Sequence, residues 1–342
     1  PRLKPRADHC AHGYRQLAVE MYGGGIWASW LDRDLSIAGR LLCNTGAPTP
    51  GGLEPVLVDL RRPVARIPNV AIHLNRTVND EGLKINPQQH MMPVLGMGDE
   101  LELRAVLAEA AGHPAETIVS YDLVLYDTQK GTIGGLDDEL LFCPRLDNLA
   151  SAYAAVEALR GASGDVDSTA VAVLFDHEEC GSRSAVGAAG PVLRDALERI
   201  ATAHPEEQTQ ALPRALAVSY LVSADMAHAV HPNWADRHDG DHSPMINRGL
   251  VIKTNANQSY ATSGPSAAFF EQLCHQAGYE PQHFVSRNDV RCGSSIGPIA
   301  STELGVRAVD VGAPMLSMHS VREMAGTLDV HLAIKTFEQL FR

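Results

Sequence analysis

The segment Thr169–Gly181, TAVAVLFDHEECG, is the stretch around which the rest of the sequence is organised. Its first seven residues, Thr169–Phe175, form a short continuous apolar run, which is typical of a buried strand in a parallel sheet. Four polar residues follow, and Glu178 and Glu179 lie side by side among them. Because open α/β sheets carry their chemistry beyond the carboxyl ends of their strands, these acids indicate a functional site.

The pair Glu178 and Glu179 allows two interpretations. Adjacent carboxylates repel each other unless positive charge lies near them, and a metal ion is the usual source of that charge. The alternative is a solvated loop that leads into a helix, where acidic residues interact favourably with the helix dipole. The choice between them depends on whether the rest of the sequence supplies further metal ligands.

The composition indicates a folded globular protein and argues against several classes of function. The 342 residues are enough for two domains with a sizeable core, since 45% are hydrophobic and 20% are charged. The formal net charge of -13 argues against nucleic-acid and anionic-membrane partners. No apolar stretch approaches the ~20 residues that a transmembrane helix needs. Six scattered cysteines without a CxxC pair indicate a reducing compartment, and we expect a cytoplasmic protein.

The hydrophobic pattern changes once along the chain. Between residues 39 and 74, short β segments are separated by Pro and Gly clusters, which predicts a smaller β-rich domain over residues 1–120. After Tyr121, strands, loops and helices alternate. This alternation predicts an α/β domain over residues 121–342, with a mainly parallel central sheet covered by helices on both faces.

Three further metal-type ligands follow predicted strands or loops: Asp147 in RLDN, Asp225 in SADMAH and His319 in SMHS. Each has an ordinary alternative; Asp147, for example, is suited to cap the helix that follows it. Together with Glu179 they form a carboxylate and imidazole set that suits zinc, and also cobalt or manganese. Their number favours two ions that share one aspartate.

This constellation predicts metal-assisted hydrolysis, most naturally of an amide bond. Two ions about 3.5–4 Å apart polarise a scissile carbonyl, and a metal lowers the pKa of bound water from about 15.7 to near 7. A carboxylate that does not bind metal must then take the proton and pass it to the leaving amine. The pair Glu178 and Glu179 fits this division, because neighbouring residues at a strand end point in different directions.

Five motifs in a fixed order now carry a resemblance to a known family: RLDNLASA, FDHEECGS, SADMAHAVHPN, NDVRCGSSIGP and GAPMLSMHSVREM. Together with YGGGIWASWLDRDLSIAGR and AIHLNR they resemble the M18 metallopeptidases, the aspartyl aminopeptidases. The resemblance covers nearly the whole chain. It implies a dinuclear zinc exopeptidase that removes acidic residues from the N-termini of short peptides.

The resemblance also implies a role for each site residue. Asp147 would bridge two zinc ions, and Glu178 would be the general base. Glu179 and His319 would bind one zinc ion, and Asp225 would bind the other. A further zinc ligand, a histidine in an HTDSP motif, lies in the family just upstream of the stretch that PRLKP at residues 1–5 resembles. This sequence does not contain that histidine, and we expect it, with the catalytic segment around it, in a part of the molecule that precedes this sequence. The alternative is a genuine truncation, which would put the second zinc ion and the activity in doubt.

Two residues are implied to act on the substrate. Lys253, in GLVIKT, matches a lysine that would pair with a substrate carboxylate, whereas the alternative is an ordinary surface lysine. His73, in AIHLNR, lies in a segment that reads as a strand. The resemblance implies that a neighbouring subunit projects it into the active site, and the alternative is a half-buried strand histidine.

The resemblance finally implies an assembly, in which the smaller domain mediates dimerisation and dimers form a dodecamer. Two other functions stay open at this point. One is a related dinuclear exopeptidase or deacylase with a different specificity. The other is an inactive assembly or binding protein that keeps the shell without the chemistry.

Overall fold

The computed structural model describes residues 1–162, 168–203 and 210–342, and the chain divides into two compact units, Pro1–Lys130 and Gly131–Arg342. Each unit has its own hydrophobic cluster of buried side chains. Among the described residues, no helix is both long enough and apolar enough to cross a membrane.

The first unit is built on a six-stranded sheet in which every pairing is antiparallel. Its elements are β1 (Arg2–Ala11), β2 (Tyr14–Glu20), β3 (Leu35–Asn44), β4 (Leu53–Asp59), α1 (Val78–Glu81), α2 (Pro87–His90), β5 (Val94–Met97), α3 (Leu103–Ala111) and β6 (Ile118–Asp127). The strand order is β4-β3-β6-β1-β2-β5. Leu103 and Leu107 lie one helical turn apart on α3 and join the same buried cluster as Ile37 of β3.

The boundary between the units lies later than the sequence pattern placed it. The predicted boundary after residue 120 falls within β6, whereas the first unit extends to Lys130. The reason is that β6 pairs with β3 along its length, from Leu35↔Asp127 to Cys43↔Ile118. The β-rich character of the first unit is therefore observed, while its role in dimerisation stays a prediction.

The second unit contains both strands and helices, as predicted, but among the described residues they do not alternate strictly. Its elements are β7 (Thr132–Gly134), β8 (Leu140–Cys143), α4 (Leu146–Gly161), α5 (Val192–Thr202), α6 (Ala211–Val218), β9 (Tyr220–Ala224), β10 (Ala227–His228), β11 (Val251–Lys253), α7 (Gly264–Gln276), β12 (Gln282–Phe284), α8 (Gly297–Leu304), β13 (Arg307–Gly312), β14 (Pro314–Leu316), β15 (Glu323–Gly326) and α9 (Thr327–Leu340).

A single, mainly parallel central sheet is not confirmed in this unit. The described strands form a five-stranded sheet, β10-β14-β15-β8-β7, and a four-stranded sheet, β12-β11-β13-β9. In the first, only β10 and β14 pair in parallel. In the second, β9 with β13 and β11 with β12 are parallel, whereas β11 with β13 is antiparallel. The unit is thus a mixed α/β structure.

The apolar run Thr169–Phe175 departs most clearly from its prediction, because it is assigned to no strand. Ala170 and Ala172 pack against the main cluster of the second unit, while Val173 and Phe175 pack against a separate cluster. The run therefore contacts apolar side chains in two clusters, but Val171 and Leu174 are exposed, so the run is less buried than the pattern predicts. The ladder of hydrogen bonds that defines a strand is not found among the described residues.

The core of the second unit fixes the helix that begins at the site. Ala154 and Ala158 of α4 are fully buried in the same cluster as Ala333 and Phe337 of α9. The two members of each pair are four positions apart and so share one helix face. Val309 of β13, also fully buried, belongs to this cluster. The first turn of α4 is thereby held against the sheet.

Candidate metal centre

Three side chains from separate segments meet in the second unit, and we call them the metal triad: Asp147, Glu179 and His319. Asp147 lies in the first turn of α4, Glu179 in a 3₁₀ helix that spans Glu178–Cys180, and His319 in the turn between β14 and β15. Nε2 of His319 is 3.2 Å from Oδ2 of Asp147 and 3.2 Å from Oε2 of Glu179. One ligand atom from each residue lies within 4.8 Å of the others, so all three face one small volume.

The backbone around the metal triad adopts uncommon conformations. Arg145 and His177 have positive φ angles of 58° and 60°, and His319 itself has a φ of 65°. The left-handed region costs a residue with a Cβ about 1–2 kcal/mol. At His177 the turn is held by the Ser182 N–H, which donates to the His177 carbonyl at 2.8 Å. Such residues cluster at functional sites, where the surrounding structure maintains them.

Asp225 lies beside the metal triad at the end of β9. Its N–H donates to the carbonyl of Val311 in β13 at 2.9 Å, which fixes the backbone at this point. Its carboxyl group lies close enough to that of Asp147 for each group to shift the pKa of the other. The side chains of Asp147 and Asp225 are only 7% and 16% exposed, so two acids approach each other in a region that excludes most water.

Lys253 is buried at this site, and the interpretation as an ordinary surface lysine is therefore wrong. The residue is 2% exposed. Its Nζ donates to the carbonyls of Asp225 at 3.1 Å and Met226 at 3.2 Å, and it lies 3.5 Å from Oδ2 of Asp225. The ammonium also stands 5.2 Å from the centre of the Tyr260 ring. Lys253 thus compensates the charge of Asp225 from within the protein.

Burial raises the pKa of two of the acids at this site, Glu178 and Glu179. Burial raises the pKa of Glu179 to about 7, and the negative charge of Asp147 adds to the effect. Burial and Asp147 raise the pKa of Glu178 for the same reasons. Burial also acts to raise the pKa of Asp147, but hydrogen bonds with His319 and Asp225 outweigh it and lower that pKa. The site therefore has more negative charge than its own cations offset.

The donor set fits zinc. Two carboxylates and one imidazole supply the oxygen and nitrogen ligands that zinc takes, and three protein ligands leave a coordination position for water or substrate. The metal triad would hold one ion. The acid pair of Asp147 and Asp225 offers oxygen ligands for a second cation next to it.

Glu323, the first residue of β15, also lies at the site, although the sequence pattern does not predict it. It is 3% exposed, and its carboxylate accepts the backbone N–H groups of Asp147 at 3.1 Å and His319 at 2.7 Å. Burial raises its pKa to about 7, although both hydrogen bonds oppose that rise. The motif GAPMLSMHSVREM contains this residue, but its spacing alone does not distinguish a buried acid from an exposed one.

His73 lies in the first unit and is not in a strand. It occupies a 3₁₀ helix, Ile72–Leu74, and is exposed, so both the predicted strand and the half-buried strand histidine are wrong. The strand β4 ends at Asp59. The chain that follows, from Arg61 to Asn75, makes only isolated β-bridges, so the segment around His73 has no neighbouring strand to pair with among the described residues. The role of His73 toward another subunit stays a prediction.

Comparison with known proteins gives consistent matches. The sequence model of the family described as "Aminopeptidase I zinc metalloprotease (M18)" matches residues 1–341. A protein of Pseudomonas putida strain F1, named "Probable M18 family aminopeptidase 2", is 47% identical over 348 residues, which cover 100% of this chain and 78% of the relative.

Two solved structures extend this similarity to the fold. A structure of the Ape4 and Nbr1 complex matches with a TM-score of 0.92 and 38% identity, covering 99% of this chain and 69% of that one. The S. cerevisiae mApe1 dodecamer matches with a TM-score of 0.83 and 31% identity, covering 99% and 76%. On the evidence of sequence, fold and donor set together, this chain belongs to the M18 family of zinc metallo-aminopeptidases.

Proposed function

We propose that this protein is a zinc-dependent aminopeptidase that removes Asp or Glu from the N-termini of peptides. The observation that carries the proposal is the convergence of the metal triad next to Glu178. Zinc, when bound, polarises a scissile carbonyl and makes a water molecule acidic enough to react at neutral pH. Family membership supports the aminopeptidase reaction, and the acidic preference rests on the resemblance of the motifs.

Glu178 is the general base in this proposal. It takes a proton from the attacking water and passes it to the leaving amine. Because burial and Asp147 raise its pKa, the carboxyl group can both accept and release a proton nearer to neutral pH. Glu178 adjoins Glu179 in a short helical turn, so the ligand and the base are delivered by one segment.

The ligands divide between two ions. Glu179 and His319 would hold one zinc ion, Asp225 would hold the other, and Asp147 would be a ligand shared by the two. Cobalt and manganese suit the same oxygen and nitrogen donors.

The preference for acidic residues is assigned to Lys253. Its ammonium is the buried cation closest to Asp225, and its charge favours a substrate carboxylate in this negatively charged region. Because Nζ already bonds to backbone carbonyls, the lysine would act on the substrate mainly through its field.

We also propose that the protein forms dimers that assemble into a dodecamer in the cytoplasm. The similarity to the mApe1 dodecamer supports self-association, and the exposed position of His73 leaves its imidazole available to a neighbouring subunit. All six cysteines are free, which suits a reducing compartment. Sedimentation of the full-length protein tests the assembly, and a particle of monomer size would contradict it.

The enzymatic proposal is tested with the full-length, zinc-loaded protein on Asp- and Glu-anilides compared with Leu- and Lys-anilides. We expect the acidic substrates to react faster. The variant Glu178→Gln should lose about 10²–10⁴-fold in turnover with unchanged zinc content. Asp176→Asn serves as a matched control, because Asp176 is an exposed acid in the same segment.

Each other result has a definite meaning. Faster hydrolysis of neutral substrates would refute the acidic specificity and favour a differently specific exopeptidase. Loss of zinc in Glu178→Gln would show that the roles of Glu178 and Glu179 are misassigned. Less than one zinc per chain, with no hydrolysis after zinc is added, would support an inactive assembly or binding protein.

A further inference from the structure

We infer that Glu323 is a positioning residue, which holds the backbones of Asp147 and His319 at a fixed separation. β15 begins at Glu323 and lies between β14 and β8 in the five-stranded sheet. β8 ends at Cys143, shortly before Asp147, and β14 ends at Leu316, shortly before His319. β15 therefore starts at the place where the chain leaves β8 toward Asp147 and leaves β14 toward His319.

Each carboxylate oxygen of Glu323 accepts a hydrogen bond from one of these two segments. Oε1 accepts the N–H of His319 at 2.7 Å, and Oε2 accepts the N–H of Asp147 at 3.1 Å. Because the residue is 3% exposed, water competes little for either oxygen. One rigid, planar carboxylate thus joins the backbones of two residues whose side chains lie 3.2 Å apart in the metal triad.

Both N–H groups lie where regular secondary structure offers little support. Asp147 is in the first turn of α4, where a helix leaves its N–H groups without internal acceptors, and its φ of -81° and ψ of 107° are not helical. His319 has a positive φ of 65° in a turn. The carboxylate of Glu323 accepts both N–H groups and so stabilises both irregular backbone conformations. Hydrogen bonds to a carboxylate are stronger than those to a neutral oxygen.

The consequence concerns the ligands rather than the reacting atoms. Glu323 does not offer an atom to the metal triad, and it acts by fixing two of the three residues that do. Groups that orient metal ligands in this way typically contribute about 10–100-fold to metal affinity. This inference rests on the zinc site of the proposed function, and its test separates the two.

The test compares Glu323→Gln with the matched control Asp329→Asn. Asp329 is also fully buried, and its carboxylate accepts the N–H groups of Asn247 at 2.6 Å and Gly249 at 2.8 Å. Both variants replace a buried carboxylate that accepts two backbone N–H groups with a neutral amide. They therefore share the general effect on stability, and only Glu323 contacts residues of the metal triad.

Two measurements are made on the full-length protein. Competition with a chromophoric chelator gives the zinc affinity, and thermal unfolding in EDTA gives the midpoint of the zinc-free protein. We expect Glu323→Gln to weaken zinc binding about 10–100-fold and Asp329→Asn to leave it within about twofold of wild type. Both variants should lower the zinc-free midpoint.

A second variant, Glu323→Asp, keeps the negative charge but withdraws the carboxylate by one methylene group. The shorter side chain cannot reach both N–H groups, so its zinc affinity should lie between those of wild type and Glu323→Gln. If Glu323→Gln does not fold, this variant decides alone, and an unchanged affinity in it would refute the inference.

The remaining outcomes are distinct. Zinc binding by Glu323→Gln that equals wild type would overturn the positioning role and leave the proposed function intact. Equal weakening by Glu323→Gln and Asp329→Asn would show a general loss of stability and would also overturn it. If the wild-type protein binds no zinc, both the proposed function and this inference are wrong.

Discussion

Replacing Lys253 by Met removes a buried cation while it retains most of the side-chain volume. Nζ lies 3.5 Å from Oδ2 of Asp225, and at an effective dielectric constant of about 20 this separation corresponds to an attraction of about 5 kcal/mol. The variant leaves Asp225 without its nearest cation, and breaking a buried pair from one side costs about 3–5 kcal/mol. We expect the free energy of unfolding of the zinc-free protein to fall by that amount.

The assay is urea denaturation in EDTA. Burial raises the pKa of Asp225, so the measurement is made at about pH 8, where the carboxylate is ionised. Trp234 is the single tryptophan of the second unit, since Trp27 and Trp30 lie in the first. Replacing those two by Phe makes the fluorescence signal report the unfolding of the unit that contains Lys253.

A double-mutant cycle tests the cause. Lys253→Met combined with Asp225→Asn removes both charges, so most of the loss should be recovered, with a coupling free energy of about 3 kcal/mol. Losses that add to within about 0.5 kcal/mol would refute the idea that the ammonium compensates Asp225. A selective loss of activity on Asp- and Glu-anilides in Lys253→Met would support its action on the substrate, and an equal loss on neutral substrates would contradict it.

Two further predictions concern residues outside the metal triad. Burial raises the pKa of Asp329 from 3.8 to about 6, so its contribution to stability is present below about pH 4 and is lost as the pH rises through about 6. Relative to Asp329→Asn, wild type should therefore lose about 3 kcal/mol of unfolding free energy between about pH 4 and pH 7, and parallel profiles of the two proteins in urea would contradict this. A Cβ on Gly312 would lie 1.7 Å from the carbonyl oxygen of Asp225, so Gly312→Ala should cost about 1–3 kcal/mol in urea unfolding and weaken zinc binding by displacing that ligand. Gly264→Ala is the matched control, because nothing lies within 4 Å of a Cβ there, and equal behaviour of the two variants would refute the argument.

The secondary structure was predictable from the sequence where it depends on the residue pattern of a single segment. The sequence predicts helices over residues 101–112, 265–277 and 329–342, and α3, α7 and α9 lie close to these bounds, because helix periodicity is a property of one segment. Thr169–Phe175 shows the limit of this approach. Its apolar character is local, but strand pairing depends on which distant segments lie alongside, and the run forms no strand among the described residues.

The same limit explains the boundary between the units. β6 has the apolar pattern of an α/β strand, and the sequence therefore assigned it to the second domain. Its partner is β3, which precedes it by more than seventy residues, and no pattern within β6 specifies that pairing. His73 was misplaced for a related reason, since a short apolar run reads as a strand even when no neighbour pairs with it.

At the site, residue type and position relative to secondary structure were informative. Asp147, Glu179 and His319 were selected because metal-type side chains stood at the ends of elements, and the structure brings these three together. The burial of charged side chains could not be predicted from residue type and position. Lys253 and Glu323 are charged residues that the sequence gives no reason to bury, and only the fold shows that each has hydrogen-bond partners in the interior.

These two buried residues explain why the site suits a divalent cation. Burial is the main cause of raised pKa values in four acids at the site: Glu178, Glu179, Asp225 and Glu323. The ammonium of Lys253 lowers the pKa of Glu178 and of Asp225 but leaves both above their ordinary values. His319 likewise lowers the pKa of Glu178 and of Glu179 but leaves both above their ordinary values. The positive charge of Lys253 and His319 is thus too little for this cluster at neutral pH. A divalent ion held by the metal triad would favour the ionised forms of the acids around it, so zinc binding should release protons and strengthen as the pH rises.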